Sequence, residues 1–152
     1  MTEQHPFRVL VTGSRTWNDH DTVQAALTAI VYRNLPAVIV HGACPRGADA
    51  IASQWALRMG RTLAISEERH PADWRTYGKA AGPRRNEHMV ALGADVCLAF
   101  LAPCRKPNCH LPRPHASHGA SQTASLAEQA GIRTYRFPFD VYGATNPPWP
   151  RR

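Results

Sequence analysis

The side chains able to do chemistry in this chain gather in four loops and one cysteine–histidine segment. The first loop is Gly13-Ser14-Arg15, which follows an apolar, β-branched run over Phe7 to Val11. Its glycine permits a tight turn and close approach of a ligand to the backbone, and its hydroxyl and guanidinium suit a phosphate. The second loop is His41-Gly42-Ala43-Cys44-Pro45-Arg46-Gly47-Ala48-Asp49. The third runs from His70 to Asn86 and holds Asp73, Trp74, Tyr77, Arg84 and Arg85. The fourth is Ser117-His118-Gly119-Ala120-Ser121-Gln122-Thr123. Gly13, Ser14 and Arg15, with Gly47 and Arg84, are assigned to phosphate, and Arg46 and Arg85 are further guanidinium groups able to clamp it. Asp49 and Asp73 are assigned to ribose hydroxyls, and Trp74 to stacking on a base. His41, Gly42, Asn86 and Gly119 complete the candidate ligand set. Plainer roles stand beside these: Asp49 as a first-turn helix charge, Trp74 as a packing aromatic, His41 as a satisfied histidine at a strand end.

Cys104, Cys109, His115 and His118 form a C-x4-C-x5-H-x2-H pattern. Two thiolates and two imidazoles complete a tetrahedral zinc site, and a proline-rich segment without its own core gains most from one. Four protein ligands leave no open position, so such a zinc is structural. His110 is an alternative ligand, and His118 also sits in the fourth loop, where it can face a ligand instead. The competing reading is unligated cysteines with solvent-facing histidines. Cys97 falls mid-strand and reads as core. Cys44 reads as packing, with ligand contact as the alternative. No redox cofactor is expected.

Alternating strands and helices must position these loops. Phe7 to Val11 is the first strand, and Thr22 to Tyr32 has the apolar spacing of a helix, with Asp21 as its cap. Ala37 to His41 is a short apolar run, as in a parallel strand buried on both faces. Ala48 to Met59 is a second helix that Gly60 stops. Thr62 to Ile65 is a third strand, Pro83 to Leu92 a helix with proline in its first turn, and Ala94 to Leu101 a fourth strand. Ser121 to Ala130 is a last helix and Ile132 to Phe137 a last strand. This alternation predicts an α/β fold: a single Rossmann-like three-layer domain with a mostly parallel sheet of about five strands. Right-handed crossovers then bring all four loops to one sheet edge. The expected domain spans residues 1–142, with 103–118 as an irregular Cys/His/Pro-rich insertion and 143–152 as an extended tail.

At 152 residues the chain is one domain by length. It has no apolar run long enough for a membrane span and no apolar leader after Met1, so a cytoplasmic protein without membrane partners is expected. Its net charge of +7 favours anionic partners, but the basic pairs Arg84-Arg85, Arg105-Lys106 and Arg151-Arg152 are scattered.

The stretches Val11–Arg15, His41–Asp49, His70–Trp74 and Gly82–Asn86 resemble the motifs of the YspA-related branch of the SLOG superfamily. Ser117–Thr123, followed by Leu126-Ala127-Glu128 and Ala130-Gly131-Ile132, resembles that branch's last glycine loop and helix. The resemblance covers residues 7–137 in order. It implies a Rossmann-like sheet, a pocket for a nucleotide or nucleotide-ribose derivative, and assembly into a homodimer or higher homo-oligomer. The chain is more distantly similar to the Lonely Guy phosphoribohydrolases and to the DNA-processing protein DprA. It departs from the Lonely Guy pattern in the fourth loop, which has no carboxylate. Glycosidic cleavage needs an acid or base near the anomeric carbon. Asp73, Asp49 and Glu87 are the nearby candidates for that catalytic role. The expectation is therefore binding, for signal sensing or sequestration. The alternatives are nucleotide N-glycosidase activity and DprA-like nucleic-acid binding.

Overall fold

A computed structural model describes residues 5–112 and 115–138; the expected boundary at 142 and the tail lie outside them. Five strands, β1 (Phe7–Gly13), β2 (Ala37–His41), β3 (Ile65–Arg69), β4 (Val96–Leu101) and β5 (Arg133–Pro138), form one sheet. Every pairing is parallel, in the order β3-β2-β1-β4-β5. The helices are α1 (His20–Val31), α2 (Ala48–Met59), α3 (Trp74–Tyr77), α4 (Ala81–Ala91) and α5 (His118–Gln129). A 3-10 turn over Gly78–Ala80 joins α3 to α4. This is the expected Rossmann-like arrangement. Among the described residues no helix is long and apolar enough to cross a membrane.

Burial follows the strand period of two. Val9 and Val11 of β1 pack with Leu27 and Val31 of α1 and Ile51 and Trp55 of α2 on one face. Leu10, between them, packs on the other face with Met89 and Val90 of α4 and Ala127 of α5. Phe100 anchors the first face, stacked on Phe137 at 4.7 Å and tilted against Trp17 at 5.5 Å. Cys97 is core, as expected, and burial pushes its thiol up to about 12. The helix layer changes sides between the β1–β2–β3 half and the β4–β5 half. The crevice beyond Gly13 and Phe100, paired neighbours on β1 and β4, is therefore the topological switch point.

Several boundaries differ from the sequence-based expectation. The third strand is Ile65–Arg69, and Thr62 to Ala64 only lead into it. As an edge strand, β3 has one paired side and is polar at every position after Ile65, so its Glu-Glu-Arg end carries no apolar signal. Its Glu68 reaches across β2 to Arg8 of β1 at 2.9 Å and to His70 at 2.8 Å. The Arg8 bond, then that of His70, holds the Glu68 carboxyl down at about 2. Helix α1 is capped by Asp19, whose carboxylate accepts the Thr22 amide at 3.1 Å, while Asp21 lies inside its first turn. Gly60 ends α2 in right-handed geometry, where an added Cβ would come within 2.7 Å of the Ile65 carbonyl oxygen.

Gly13 is the last residue of β1 and makes no turn. The volume of its missing side chain is taken by Ala48 Cβ of α2, with the Phe100 carbonyl oxygen 3.0 Å away. Gly47 has φ of 79° and sits on the Ser14–Arg15 backbone, 2.7 Å from Arg15 Cα by the same construction. These two glycines let the N-terminus of α2 rest directly on the end of β1. Gly47→Ala should destabilise the protein by about 2 kcal/mol or more, from left-handed strain plus collision with fixed backbone. Gly119→Ala, with no atom within 4 Å of the new methyl, should leave stability unchanged or slightly raised. Urea denaturation of both variants checks this, and equal effects would show that crowding at Gly47 is not the cause.

Candidate functional site

Loops after β1, β2 and β4, with α3 and the start of α4, surround a cleft of about 1100 Å³ at the carboxyl edge of the sheet. Its lining carries five cations, Arg15, Arg46, Arg85, Arg105 and Lys106, and one carboxylate, Asp49. The N-termini of α2 and α5, both 12-residue helices, open on it without side-chain caps. Uncapped backbone N–H groups and the positive dipole end favour an anion there. Arg15 lies 5.9 Å from the ring of Trp74, which is half exposed on the cleft wall.

The end of β1 is fixed through Ser14. Its amide donates to the Phe100 carbonyl at 3.0 Å, and its hydroxyl accepts the Ala102 amide at 2.8 Å. The same hydroxyl forms a very short hydrogen bond with that of Ser117, the N-cap residue of α5. Ser14 lines the cleft, yet its hydroxyl is engaged in holding β1, β4 and α5 together.

The second loop is held from below by buried groups. Nδ1 of His41 accepts the Ala43 amide at 3.0 Å, which leaves Nε2 to donate to Glu67 at 2.6 Å. Burial alone would raise the Glu67 carboxyl, but bonds from Ser53 and His41 outweigh it and hold it below its ordinary range. Ala43 adopts φ of 57°, which turns the loop over α2. Asp49, 6% exposed, accepts the Cys44 amide at 3.3 Å. Burial pushes its carboxyl up, opposed by His41, the loop amides and Arg85.

Arg85 spans the loops. It donates to the Gly42 carbonyl at 2.5 Å, to the His70 carbonyl at 3.2 Å and to Asn86 Oδ1 at 2.8 Å. Its guanidinium fills the space where a Gly42 side chain would stand. Asn86 is buried and donates to Gln122 at 3.4 Å, so α4 and α5 meet at the cleft floor.

Of the residues assigned from sequence, Gly13, Ser14, Arg15, Gly42, Asp49, Trp74, Asn86 and Gly119 line the cleft. His41, Gly47, Asp73, Arg84 and Glu87 do not. His41 is the satisfied strand-end histidine. Gly47 acts one layer back, beneath Ser14 and Arg15. Asp73 caps α3, accepting the Thr76 amide at 3.1 Å, and its bonds to Thr76 hold its carboxyl below the ordinary range. Arg84 stacks over Tyr77 at 4.4 Å. Glu87 faces a separate groove with Val90 and Leu126. Helix α4 begins at Ala81, so helical rotation turns Arg84 outward and its neighbour Arg85 inward. Arg46 and Arg85, further phosphate candidates from sequence, line the cleft, whereas Arg105, Lys106 and Gln122 line it without having been assigned to a ligand from sequence. A periodicity anchored on Met89 and Val90 would have separated Arg85 from Arg84.

Cys104, Cys109, His115 and His118 form one cluster able to hold a metal ion, their ligand atoms all within 4.8 Å of one another. The Nε2 atoms of His115 and His118 are 3.2 Å apart, and the sulfur–nitrogen separations include 3.3, 3.5 and 3.6 Å. His115 turns Nδ1 to the Pro112 carbonyl at 2.9 Å, which directs Nε2 into the cluster. His110 is exposed and stands outside it. His118 and Gly119 belong to the first turn of α5, which begins three residues earlier than the expected Ser121. Cys104 and His118 line the cleft as well.

The family model of the YspA, cpYpsA-related SLOG family matches residues 7–77, from β1 through α3. The chain is 50% identical over 95 residues to the Gene 61 protein of Mycobacterium phage D29, an alignment covering 61% of this chain and 75% of that protein. The chain belongs to the YspA, cpYpsA-related SLOG family. SLOG membership points to nucleotide-related binding or processing, and the cleft lies where the β1 and β2 loops of the matched SLOG segment converge. The cysteine–histidine cluster lies beyond the matched residues. No solved structure matches the chain.

Ser14→Ala should cost about 1–3 kcal/mol, because it leaves the buried Ala102 amide without its acceptor. Ser117→Ala keeps that acceptor and should cost less. Urea midpoints of the two variants check the order, and a reversed order would move the fulcrum from Ser14 to Ser117.

Proposed function

We propose that the cleft binds a nucleotide or nucleotide-ribose derivative, and that the protein senses or sequesters it. The observation that carries this reading is the convergence of Arg15, Arg46, Arg85 and two uncapped helix N-termini beside the exposed ring of Trp74. The cations and N–H groups suit phosphate, and the ring suits a base. Of the four arginines that the sequence offers to phosphate, Arg84 drops out and Arg15, Arg46 and Arg85 remain, and Asp49 is left as the candidate for ribose. Isothermal titration with AMP and ADP-ribose tests the reading. Arg15→Ala should weaken binding about tenfold or more while Arg84→Ala leaves it unchanged. Failure of the wild-type chain to bind either nucleotide overturns it.

A second reading, N-glycosidic hydrolysis, is favoured by one observation. Asp49 is a buried carboxyl that burial pushes up, the property of a general acid. Its oxygens, however, already accept loop amides. Release of free adenine from AMP, abolished in Asp49→Asn, would establish hydrolysis in place of binding alone.

We also propose that the Cys104–Cys109–His115–His118 cluster holds a structural zinc ion. Tetrahedral bonds of about 2.3 Å to sulfur and 2.0–2.1 Å to nitrogen imply edges near 3.6 Å for sulfur–nitrogen and 3.4 Å for nitrogen–nitrogen. The observed 3.3–3.6 Å and 3.2 Å approach these values. Elemental analysis of the purified chain should find about one zinc per chain, lost in Cys109→Ser. Metal-free protein whose thiols all titrate in the native state would remove the zinc.

A further inference from the structure

The metal cluster and the cleft are built from the same piece of chain. Cys104 and His118 face both, and between the two cysteine ligands the chain turns so that Arg105 and Lys106 line the cleft. The turn closes with the Cys109 amide donating to the Lys106 carbonyl at 3.2 Å. At its foot the Cys104 amide donates to the His115 carbonyl at 2.7 Å, and Pro103 bridges Ala116. From Arg105 to Asn108 every residue is exposed, so no apolar packing fixes the turn. Besides these backbone contacts, the clustered side chains of Cys104, Cys109, His115 and His118 tie both ends of the turn together. Its position is also specific. Arg46 follows β2 and Arg105 follows β4, on opposite sides of β1. Cations therefore approach the cleft from both sides of the central strand.

We propose that the turn clamped by this metal centre is a second anion subsite of the cleft, with Arg105 and Lys106 as its cations, and that it takes the second phosphate of a diphosphate group. The proposal rests on the nucleotide reading of the cleft and adds the class of ligand: a diphosphate in preference to a single phosphate. The ion makes no contact with the ligand. Its role is to keep a turn without a core from spending its time elsewhere, which would otherwise cost ordering entropy at each binding event. Metal content and anion affinity are then linked: each favours the other.

The test titrates inorganic pyrophosphate, inorganic phosphate and AMP into the zinc-loaded full chain. Pyrophosphate should bind more tightly than phosphate. The double variant Arg105→Ala/Lys106→Ala, which keeps all four ligands, should lose about tenfold in pyrophosphate affinity, change little toward phosphate, and retain its zinc by elemental analysis. Zinc removal by chelation, with circular dichroism confirming an intact fold, should reproduce that loss. Removing zinc from the double variant should then add little. Equal affinity of the wild type for pyrophosphate and phosphate, or wild-type pyrophosphate affinity in the double variant, overturns the subsite. Unchanged pyrophosphate affinity after chelation overturns the clamp. AMP separates the two readings: AMP binding without pyrophosphate preference sinks this inference alone, whereas pyrophosphate preference without AMP binding sinks the nucleotide reading alone.

Discussion

The hydroxyl of Ser14 is the point through which the cleft is assembled. It accepts the Ala102 amide and meets the Ser117 hydroxyl, so one oxygen joins the end of β1, the exit of β4 and the start of α5. The same residue's carbonyl receives the Ala48 amide of α2 at 3.4 Å. Parallel strands deliver their loops to a common edge but do not fix how those loops stand relative to one another. Here a buried serine does so. The helix N-termini that flank the cleft are positioned by this residue, and the metal-binding segment leaves the sheet directly beside it.

A cleft lined by five cations and one carboxylate repels itself when empty. The structure limits the cost by engaging its innermost charge. Arg85 is held by two backbone carbonyls and the Asn86 side chain, and burial pulls its guanidinium below the usual arginine range while Asp49 opposes that shift. Arg15, Arg46, Arg105 and Lys106 stay exposed, where solvent screens them. The innermost guanidinium is thus fixed in place before an anion arrives, and the outer cations are the ones whose mutual repulsion an incoming anion relieves most.

The sheet was legible in the sequence because β1, β2 and β4 are covered on both faces and read as continuous apolar runs. The edge strand β3 was misplaced because a strand with one paired side can be polar. The metal cluster was legible from ligand types alone, and the structure excludes only His110 from it. The cleft was legible as a set of loops but less so residue by residue. Arg84 and Arg85 are adjacent and alike, and only the start of α4 at Ala81 decides which of them turns inward. Asp73 and Ser14 have residue types that bind ligands, yet their polar atoms are engaged by the Thr76 and Ala102 amides. Such pre-emption by neighbouring backbone leaves no mark in a sequence.

Gly13 and Gly47 follow a different logic from the residues around them. Their missing side chains make room for Ala48 and for the Ser14–Arg15 backbone, which belong to the protein itself. Whatever anion occupies the cleft, those neighbours remain. Arg15, Arg46, Arg105 and Lys106 are exposed on the cleft wall, and none of them fills the space left by either glycine's missing side chain except through the Arg15 backbone. Exchanging those cations can therefore retune the cleft, while the two glycines admit no side chain whatever the cargo.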